Sequence, residues 1–419
     1  MSTEDEQPTQ QPSNRFFYGW IVAFSAMLVM GIANGLTVSG LTVFDESLLA
    51  EFGWSRGTLK FRDFLFFTIV GVLGPAAGAL ADRYGVRRLM TGGTLLLAGG
   101  LLLYSRIGTA IEMYLIHVIF ALVLLGCGMI VVVMLVSNWF VAHRGTAIGI
   151  ALIGTSVGGM FFPPFSSWLI ERNGWRQAFA IETLFCFGIL LLVGLVIREK
   201  PADMGLEPLG AGSRSGAPAG ASDGLAYKAA LRTRSFWAMA FTATMTFYAV
   251  LAATAHLFLY LRGLEFDQQK ASLGISLLFG VGLVGKFGFG FLADHLNQRR
   301  VFYVNVAVMW AGSVLLATMD AGLVWIAIVV FSLGWGGLYT LLHLITVDSF
   351  GLRAAGKVLG TVAVFEAVGG GLGIWITGLL YDQTGSYRVP FVVMSALIFM
   401  AFFAATQVKR QVAAADGKI

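Results

Sequence analysis

"GALADRYGVRR", residues Gly78–Arg88, ends a long apolar run and recurs as "GFLADHLNQRR", residues Gly290–Arg300. Two more pairs of segments repeat at the same offset of roughly 211 residues. "HRGTAIG" matches "AAGKVLG", which aligns Gly149 with Gly360, and "LIERNGWRQAF" matches "LYDQTGSYRVPF". Three pairs of similar segments at one sequence offset indicate that the chain is built from two copies of one unit.

The composition indicates which solvent surrounds these repeats. Of the 419 residues, 57% are hydrophobic and 12% are charged, and the mean hydropathy is +0.79. Soluble globular proteins contain about 25% charged residues, so we predict a polytopic membrane protein. The 53 glycines suit close packing of helices in lipid. The net charge of +5 is attributed to the basic residues of cytoplasmic loops, and no nucleic acid is expected as a partner.

The apolar runs predict the fold. A helix crosses the bilayer core with about 20 apolar residues, and the sequence contains twelve such runs in two sets of six. We predict an all-α polytopic membrane protein with two pseudo-symmetric six-helix bundles, over residues 17–200 and 235–408. An N-terminal tail (1–16), a linker rich in Gly, Ala, Ser and Pro (201–234) and a C-terminal tail (409–419) complete the chain. Basic residues cluster in the loops of one side, which predicts that both termini and the linker are cytoplasmic.

The repeated motifs resemble a known family. "GALADRYGVRR" is similar to the signature that the major facilitator superfamily carries between its second and third helices, and "GFLADHLNQRR" resembles its second copy. "YGWIVAF", "EFGWSRGTL", "NWFVAHRGTAIGIALIGTSVGG" and "DQTGSYRVPF" resemble the monocarboxylate and oxalate/formate transporter branch. The resemblance runs nearly end to end. It implies a secondary transporter that works by alternating access, with a substrate site near the midplane between the halves.

Lys286 is the first candidate for substrate binding. In this branch, an arginine binds the substrate carboxylate, and it lies eight residues before the signature aspartate. Here the aspartate is Asp294 and the position of the arginine is occupied by Lys286. Lysine presents a point charge instead of a two-pronged fork. At about 12 Å from Asp294 along a helix, the charge lies near mid-membrane, where it is by default functional; the alternative is a lysine that snorkels to the interface. The branch's proton-linked lysine and aspartate correspond here to Ser39 and Gly282, so its proton route is not transferred.

Glu366 is the second charge within an apolar run. Two interpretations remain open: a structural ion pair with Lys286, or a carboxylate that takes up a proton when the anion binds. His256 is predicted to contact substrate or proton, because the branch often has a histidine there, and a hydrogen-bonded core residue is the alternative. Further candidates for the substrate-binding wall, with packing as the alternative, are Asn34, Trp335 and Tyr339.

The repeated "LAD" motif is expected to gate the cytoplasmic side. The resemblance implies that the Asp82 carboxylate interacts with the positive N-terminus of a second-half helix, and that Gly78 lets the helices approach. This contact would form in the outward-facing state and open during rocking. Arg83 and Arg87 belong to the same loop, and Asp294 is the second-half counterpart of Asp82.

Other polar residues are expected to have minor roles. Arg62 and Asp63 lie about 30 Å from Asp82 along the second span, which predicts solvated positions at the outer interface. His117 and His343 are interpreted as structural.

Two enzyme-like motifs lack the structural context that they need. The G-x-G-x-x-G of Gly280, Gly282 and Gly285 follows no strand, and "GTSVG" (Gly154–Gly158) lies within an apolar span. These glycines are expected to let helices pack closely. We therefore expect no enzyme, cofactor or metal.

Together these patterns predict a transporter of the cell inner membrane for a small, monocarboxylate-like organic monoanion, with proton symport. The expected partners are the anion, protons and the bilayer, and one chain is expected to work as a monomer. The alternatives are an organic-anion exporter or exchanger and, from another class, a receptor of transporter-like fold that binds its ligand without moving it.

Overall fold

The computed structural model describes residues 17–211, 224–351 and 353–411. The predicted N-terminal tail, the middle of the linker and most of the C-terminal tail lie outside these ranges. The helices of the first half are α1 (Gly19–Asn34), α2 (Asp45–Phe52), α3 (Arg56–Tyr84), α4 (Val86–Tyr104), α5 (Ala110–Cys127), α6 (Met129–Trp139), α7 (Arg144–Leu152), α8 (Gly154–Glu182) and α9 (Leu184–Leu191). The short α10 (Tyr227–Leu231) precedes the helices of the second half, α11 (Arg234–Gly263), α12 (Gln268–His295), α13 (Gln298–Ala317), α14 (Val324–Phe350), α15 (Ala355–Thr384) and α16 (Arg388–Thr406).

The prediction of twelve spans in two sets of six is confirmed. In the described ranges, ten helical segments are long and apolar enough to cross a membrane, and α3, bent by 60° within its length, is an eleventh. One of the ten, Arg144–Val196, has 53 residues and breaks at Gly174, whose φ of 75° and ψ of 159° are not helical. It therefore contains the fifth and sixth predicted spans.

Several helices begin where a side chain accepts one of the free backbone N–H groups of the first turn. Ser55 accepts from Thr58 at the start of α3, and Asp267 accepts from Lys270 at the start of α12. Thr109 and Glu112 form a reciprocal capping box at the start of α5. These local signals place the helix ends where the apolar runs begin.

Two glycines of the G-x-G-x-x-G motif, Gly282 and Gly285, pack α12 against α14, as expected. A Cβ on Gly285 would lie 2.4 Å from the Leu333 carbonyl oxygen, and one on Gly282 would lie 2.8 Å from the Trp335 ring. On the facing helix, a Cβ on Gly336 would lie 1.9 Å from the Gly282 carbonyl oxygen. Only residues without a side chain allow this approach, so the motif is a helix-packing feature.

The two halves meet through helix pairs that the sequence repeat relates to each other. α3 packs against α15, and α8 packs against α12. Contact is tight where α3 begins and α15 ends: a Cβ on Gly57 would lie 2.5 Å from the Leu379 side chain. Glu46 and Arg262 also form a two-pronged ion pair across the halves there, at 2.7 and 2.8 Å. We call this the closed end.

At the opposite end, where α3 ends and α15 begins, the repeated glycines have no neighbours. A Cβ added to Gly149 or to its repeat mate Gly360 would meet no atom within 4 Å. We call this the open end.

Arg62 requires a correction. The sequence placed it in solvent, yet Arg62, Lys60 and Asp45 are all fully buried. Asp45, on α2, forms ion pairs with both cations, and Arg62 also donates to the Tyr104 hydroxyl at 2.8 Å. Asp63 is mostly buried and lies 3.8 Å from the Lys60 ammonium. The prediction was wrong because the position of a residue along a helix does not indicate which other elements pack against that residue. Here α2 covers the start of α3.

Candidate functional site

A cavity of about 630 Å³ lies between the two halves, within the size range of small-molecule sites. The first half lines it with residues of α1, α3 and α5 to α8, and the second half with residues of α11, α12 and α14. Most lining side chains are apolar. Among the described residues of the lining, Lys286 and His343 are the side chains that can carry a positive charge.

Lys286 faces this cavity, as the sequence predicted for a functional charge. Its ammonium donates to the Ser156 hydroxyl at 3.3 Å and lies 5.4 Å from the centre of the Tyr339 ring. Lys286 forms no ion pair with any residue in the described ranges, and no ion pair with Glu366 is present. The site therefore presents a cation without an internal counter-charge.

Three of the weaker candidates also line the cavity. Asn34, Trp335 and Tyr339 are all part of its wall, and the Asn34 amide donates to the Met30 carbonyl oxygen at 3.1 Å. Ser39, where the resemblance placed a proton-linked lysine, is a lining residue as well. The structure thus brings Lys286 and these three candidates to one site.

Glu366 lies behind the cavity wall and is 8% exposed. Its Oε1 atom is buried without a hydrogen-bond partner in the described chain and lies 4.0 Å from His343 Nε2. The other ring nitrogen of His343 contacts the Tyr339 carbonyl oxygen at 2.8 Å. His343 also lines the cavity, so it lies next to both the cavity and the buried carboxyl, and its structural interpretation stays a prediction.

His256 does not reach the cavity in this conformation. It is fully buried, with Nδ1 at 3.0 Å from the Tyr387 hydroxyl and Nε2 at 2.9 Å from the Ile374 carbonyl oxygen. Both ring nitrogens are occupied within the second half. This geometry matches the alternative of a hydrogen-bonded core residue, and the predicted substrate contact finds no support in the position of His256.

The predicted gating residues lie at the open end, where α3 and α12 finish. Asp82, Arg83 and Asp294 are exposed, and neither carboxylate forms a hydrogen bond or ion pair with another described residue. Arg87 instead donates to the Val193 carbonyl oxygen at 3.0 Å and to that of Gly194, which ties the loop to its own half. A Cβ on Gly78 would be 4.0 Å from its nearest neighbour. The predicted Asp82 latch is not formed in this conformation, and the gating role stays a prediction.

Sequence reasoning missed several lining residues. The most important are His343 and Phe279, and three threonines, Thr155, Thr254 and Thr340, also contribute. Phe279 is seven residues before Lys286 and therefore on the same helix face, a signal that could have identified it. His343 is four residues after Tyr339, a candidate that was identified. No group of three His, Cys, Asp or Glu residues in the described ranges could hold a metal ion.

Comparisons with known proteins agree with this architecture. The family model described as Major Facilitator Superfamily matches residues 16–374. Monocarboxylate transporter 13 of Bos taurus is 24% identical over 393 residues, covering 91% of this chain and 87% of its own length. The fujikurins efflux protein of Gibberella fujikuroi is 28% identical over 244 residues, covering 56% of this chain and 48% of its own. A solved bacterial homolog of the human lysosomal transporter Spinster, inward-facing and occupied, superposes with a TM-score of 0.71 at 15% identity, covering 94% and 96% of the two chains.

Proposed function

The chain belongs to the major facilitator superfamily and is a membrane transporter rather than an enzyme, and we propose that it carries a small organic monoanion together with a proton. The observation that carries this proposal is the Lys286 ammonium, which faces the cavity without a carboxylate partner. A buried cation without a counter-charge is costly. An anion that enters the cavity would remove that cost, so the site favours binding of an anion.

Glu366 would carry the proton. Its carboxyl is buried and incompletely hydrogen-bonded, which favours the protonated form once a second negative charge occupies the cavity. His343 gives this carboxyl a neighbour that reaches the cavity, with 4.0 Å between Nε2 and Oε1. The proton would therefore pass between cavity water and Glu366 at His343, and His256 would serve as a structural residue.

Alternating access would exchange the two ends of the molecule. In the conformation described, the halves touch at the closed end and the cavity lies toward the open end. In the opposite conformation, the halves would close where Asp82 and Gly78 lie, with the Asp82 carboxylate near the N-terminus of α15. The Lys60 ammonium, which donates to the Ala255 carbonyl oxygen across the halves at 2.6 Å, would lose this partner.

We propose that the chain resides in a cell inner membrane with both termini in the cytoplasm, and that one chain holds the complete pathway. Basic loops at the open end support this orientation. An organic-anion exporter is the second candidate, favoured by the similarity to the fungal efflux protein over 244 residues.

Transport into proteoliposomes tests the proposal. A panel of radiolabelled organic acids would be offered with and without an inward proton gradient. We expect that one acid of the panel accumulates in the proteoliposomes, and that it does so only when the proton gradient is present. Lys286→Ala should weaken its binding by about 100-fold or more, because a buried charge partner is lost. Glu366→Gln should retain binding and lose accumulation.

Lys270→Ala is the matched control, since Lys270 lies exposed on the same helix and, among the described residues, forms an ion pair with Asp267 alone. Normal uptake by Lys286→Ala would overturn the assignment of the anion site. Gradient-driven accumulation by Glu366→Gln would overturn the proton role and leave the anion site standing.

A further inference from the structure

We propose that the transported anion carries an aryl group, or an apolar body of similar size, that lies against Phe279, Trp335 and Tyr339 while its anionic head faces Lys286. This inference rests on the proposed function, because it assigns the substrate class of the same site.

The three aromatic rings form one continuous wall of the cavity. The Phe279 and Trp335 rings lie 5.1 Å apart at 86°, and the Trp335 and Tyr339 rings lie 6.2 Å apart at 71°. The Lys286 ammonium stands 5.4 Å from the Tyr339 ring centre. A ligand with its charge at Lys286 therefore has an aromatic surface running from that charge toward Phe279.

Gly282 makes this wall possible. A Cβ at position 282 would lie 2.8 Å from two carbon atoms of the Trp335 indole, so any other residue would push the ring from its place. Trp335 is 5% exposed and still lines the cavity. The indole is thus held against α12 by close packing and offers a fixed apolar surface to the ligand.

Three hydroxyl donors of the lining have little capacity left for a small hydroxy acid. The hydroxyls of Thr155 and Thr254 donate to the carbonyl oxygens of Leu152 and Val250, at 3.0 and 2.7 Å. The Thr340 hydroxyl donates to the Lys286 carbonyl oxygen at 3.5 Å. These donors are already engaged with the backbone.

The opposite wall is mostly apolar, with Met30, Leu124, Met129, Leu152 and Ile153. In such a site, one charged group sets the orientation of the ligand and the apolar area supplies most of the affinity.

Binding of a graded series of acids to the purified full-length protein tests the inference. The probes are radiolabelled acetate, propionate, butyrate, lactate and phenylacetate, measured by equilibrium binding and by uptake. Each added methylene should tighten binding by about four-fold, and phenylacetate should bind about 10- to 100-fold more tightly than acetate. Acetate or lactate that binds as tightly as phenylacetate would overturn the inference.

Variants of the wall separate its role from that of the cation. Phe279→Ala should reduce the advantage of phenylacetate over acetate by about ten-fold, and residual acetate binding shows that the variant is folded. Trp335→Leu provides a second test at the centre of the wall. Phe291→Ala, on the same helix but 63% exposed, should change neither affinity. An unchanged phenylacetate advantage in both wall variants would contradict the inference.

The same binding and uptake data distinguish a failure of the aryl-substrate inference from a failure of the proposed anion transport. If small polar acids alone bind, and do so through Lys286, the anion transporter stands and the aryl substrate is wrong. If no organic anion binds or moves, the proposed function itself fails.

Discussion

Asp382, in the last turn of α15, holds the start of α3 through Gly57. One carboxylate oxygen accepts the Gly57 N–H at 2.6 Å and the other accepts the Arg56 N–H at 2.8 Å. The negative charge thus caps a positive helix terminus that belongs to the other half. Glu171, which the sequence repeat aligns with Asp382, accepts from the Gln269 side chain at 3.2 Å at the start of α12. The closed end is fastened by this repeated contact, and Asp82 is expected to make a corresponding one at the open end.

The Asp382 cap should stabilise the conformation described here. Loss of a helix cap costs about 1 kcal/mol, so Asp382→Ala should shift the equilibrium toward closure of the open end by about five-fold. Electron-spin distances between labels at Tyr84 and His295, which are both exposed at the open end, would report this change as a larger short-distance population.

Asp320→Ala serves as the control for this prediction. Asp320 accepts backbone N–H groups from Gly322 and Leu323, but all three residues belong to the second half. Equal distance distributions in the two variants would show that the Asp382 contact does not hold the halves together.

Gly360 should be required for closure of the open end. A Cβ at position 360 meets no atom within 4 Å in the present conformation, and leucine favours the helix, so Gly360→Leu should fold and bind substrate normally. In a closed arrangement the added side chain would cost about 1–3 kcal/mol by overpacking, which predicts transport slower by about ten-fold. Gly99→Leu is the control, because Gly99 on α4 is also exposed and without neighbours. Transport by Gly360→Leu at the rate of the control would contradict this role.

The buried ion cluster should contribute to stability. Arg62→Met leaves the buried Asp45 with Lys60 as its one remaining cation among the described residues, and breaking such a pair costs about 3–5 kcal/mol. We expect a large decrease in the thermal unfolding midpoint of the detergent-solubilised protein. Lys270→Met removes an exposed pair with Asp267 and should change the midpoint little, because exposed ion pairs contribute little to stability. Midpoints that decrease equally would show that the cluster adds nothing beyond a surface pair.

His343 should affect proton movement without affecting anion binding. His343→Gln keeps a polar side chain beside Glu366 but removes a group that exchanges protons, so net proton-coupled uptake should decrease by at least about ten-fold. Anion-for-anion exchange needs no proton release and should be unchanged. His295→Gln is a close control, since the Nδ1 atom of His295 also contacts a carbonyl oxygen four residues earlier, at 2.9 Å, while the side chain is exposed. Loss of exchange in His343→Gln would indicate a binding role instead.

The sequence predicted the fold well because the signals for it are local and repeated. Twelve apolar runs and the duplicated "LAD" motif need only chain order to be interpreted. Lys286 was identified for the same reason, since a charge deep in an apolar run is unusual wherever its side chain points.

Which residues meet across helices could not be predicted from this local information. His256 and His343 are both histidines in apolar helices, and only the rotation of each helix decides that His343 lines the cavity while His256 packs against Tyr387. Arg62 was misplaced because its partner, Asp45, comes from a different helix. His343 on α14 lies 4.0 Å from Glu366 on α15, and the spacing of the two residues in the sequence does not predict this contact.

The opposite charges of Lys286 and Glu366, which form no ion pair with each other, have an electrical consequence for the proposed cycle. The empty carrier would hold one positive and one negative charge at separate points, and the loaded carrier would hold the ammonium, the bound anion and a neutral carboxyl. Both forms are neutral in sum. A net charge crossing the membrane would gain or lose about 2.3 kcal/mol per 100 mV, and neither form carries one. The membrane voltage would therefore leave the cycle unaffected, and the pH difference alone would set how far the substrate accumulates.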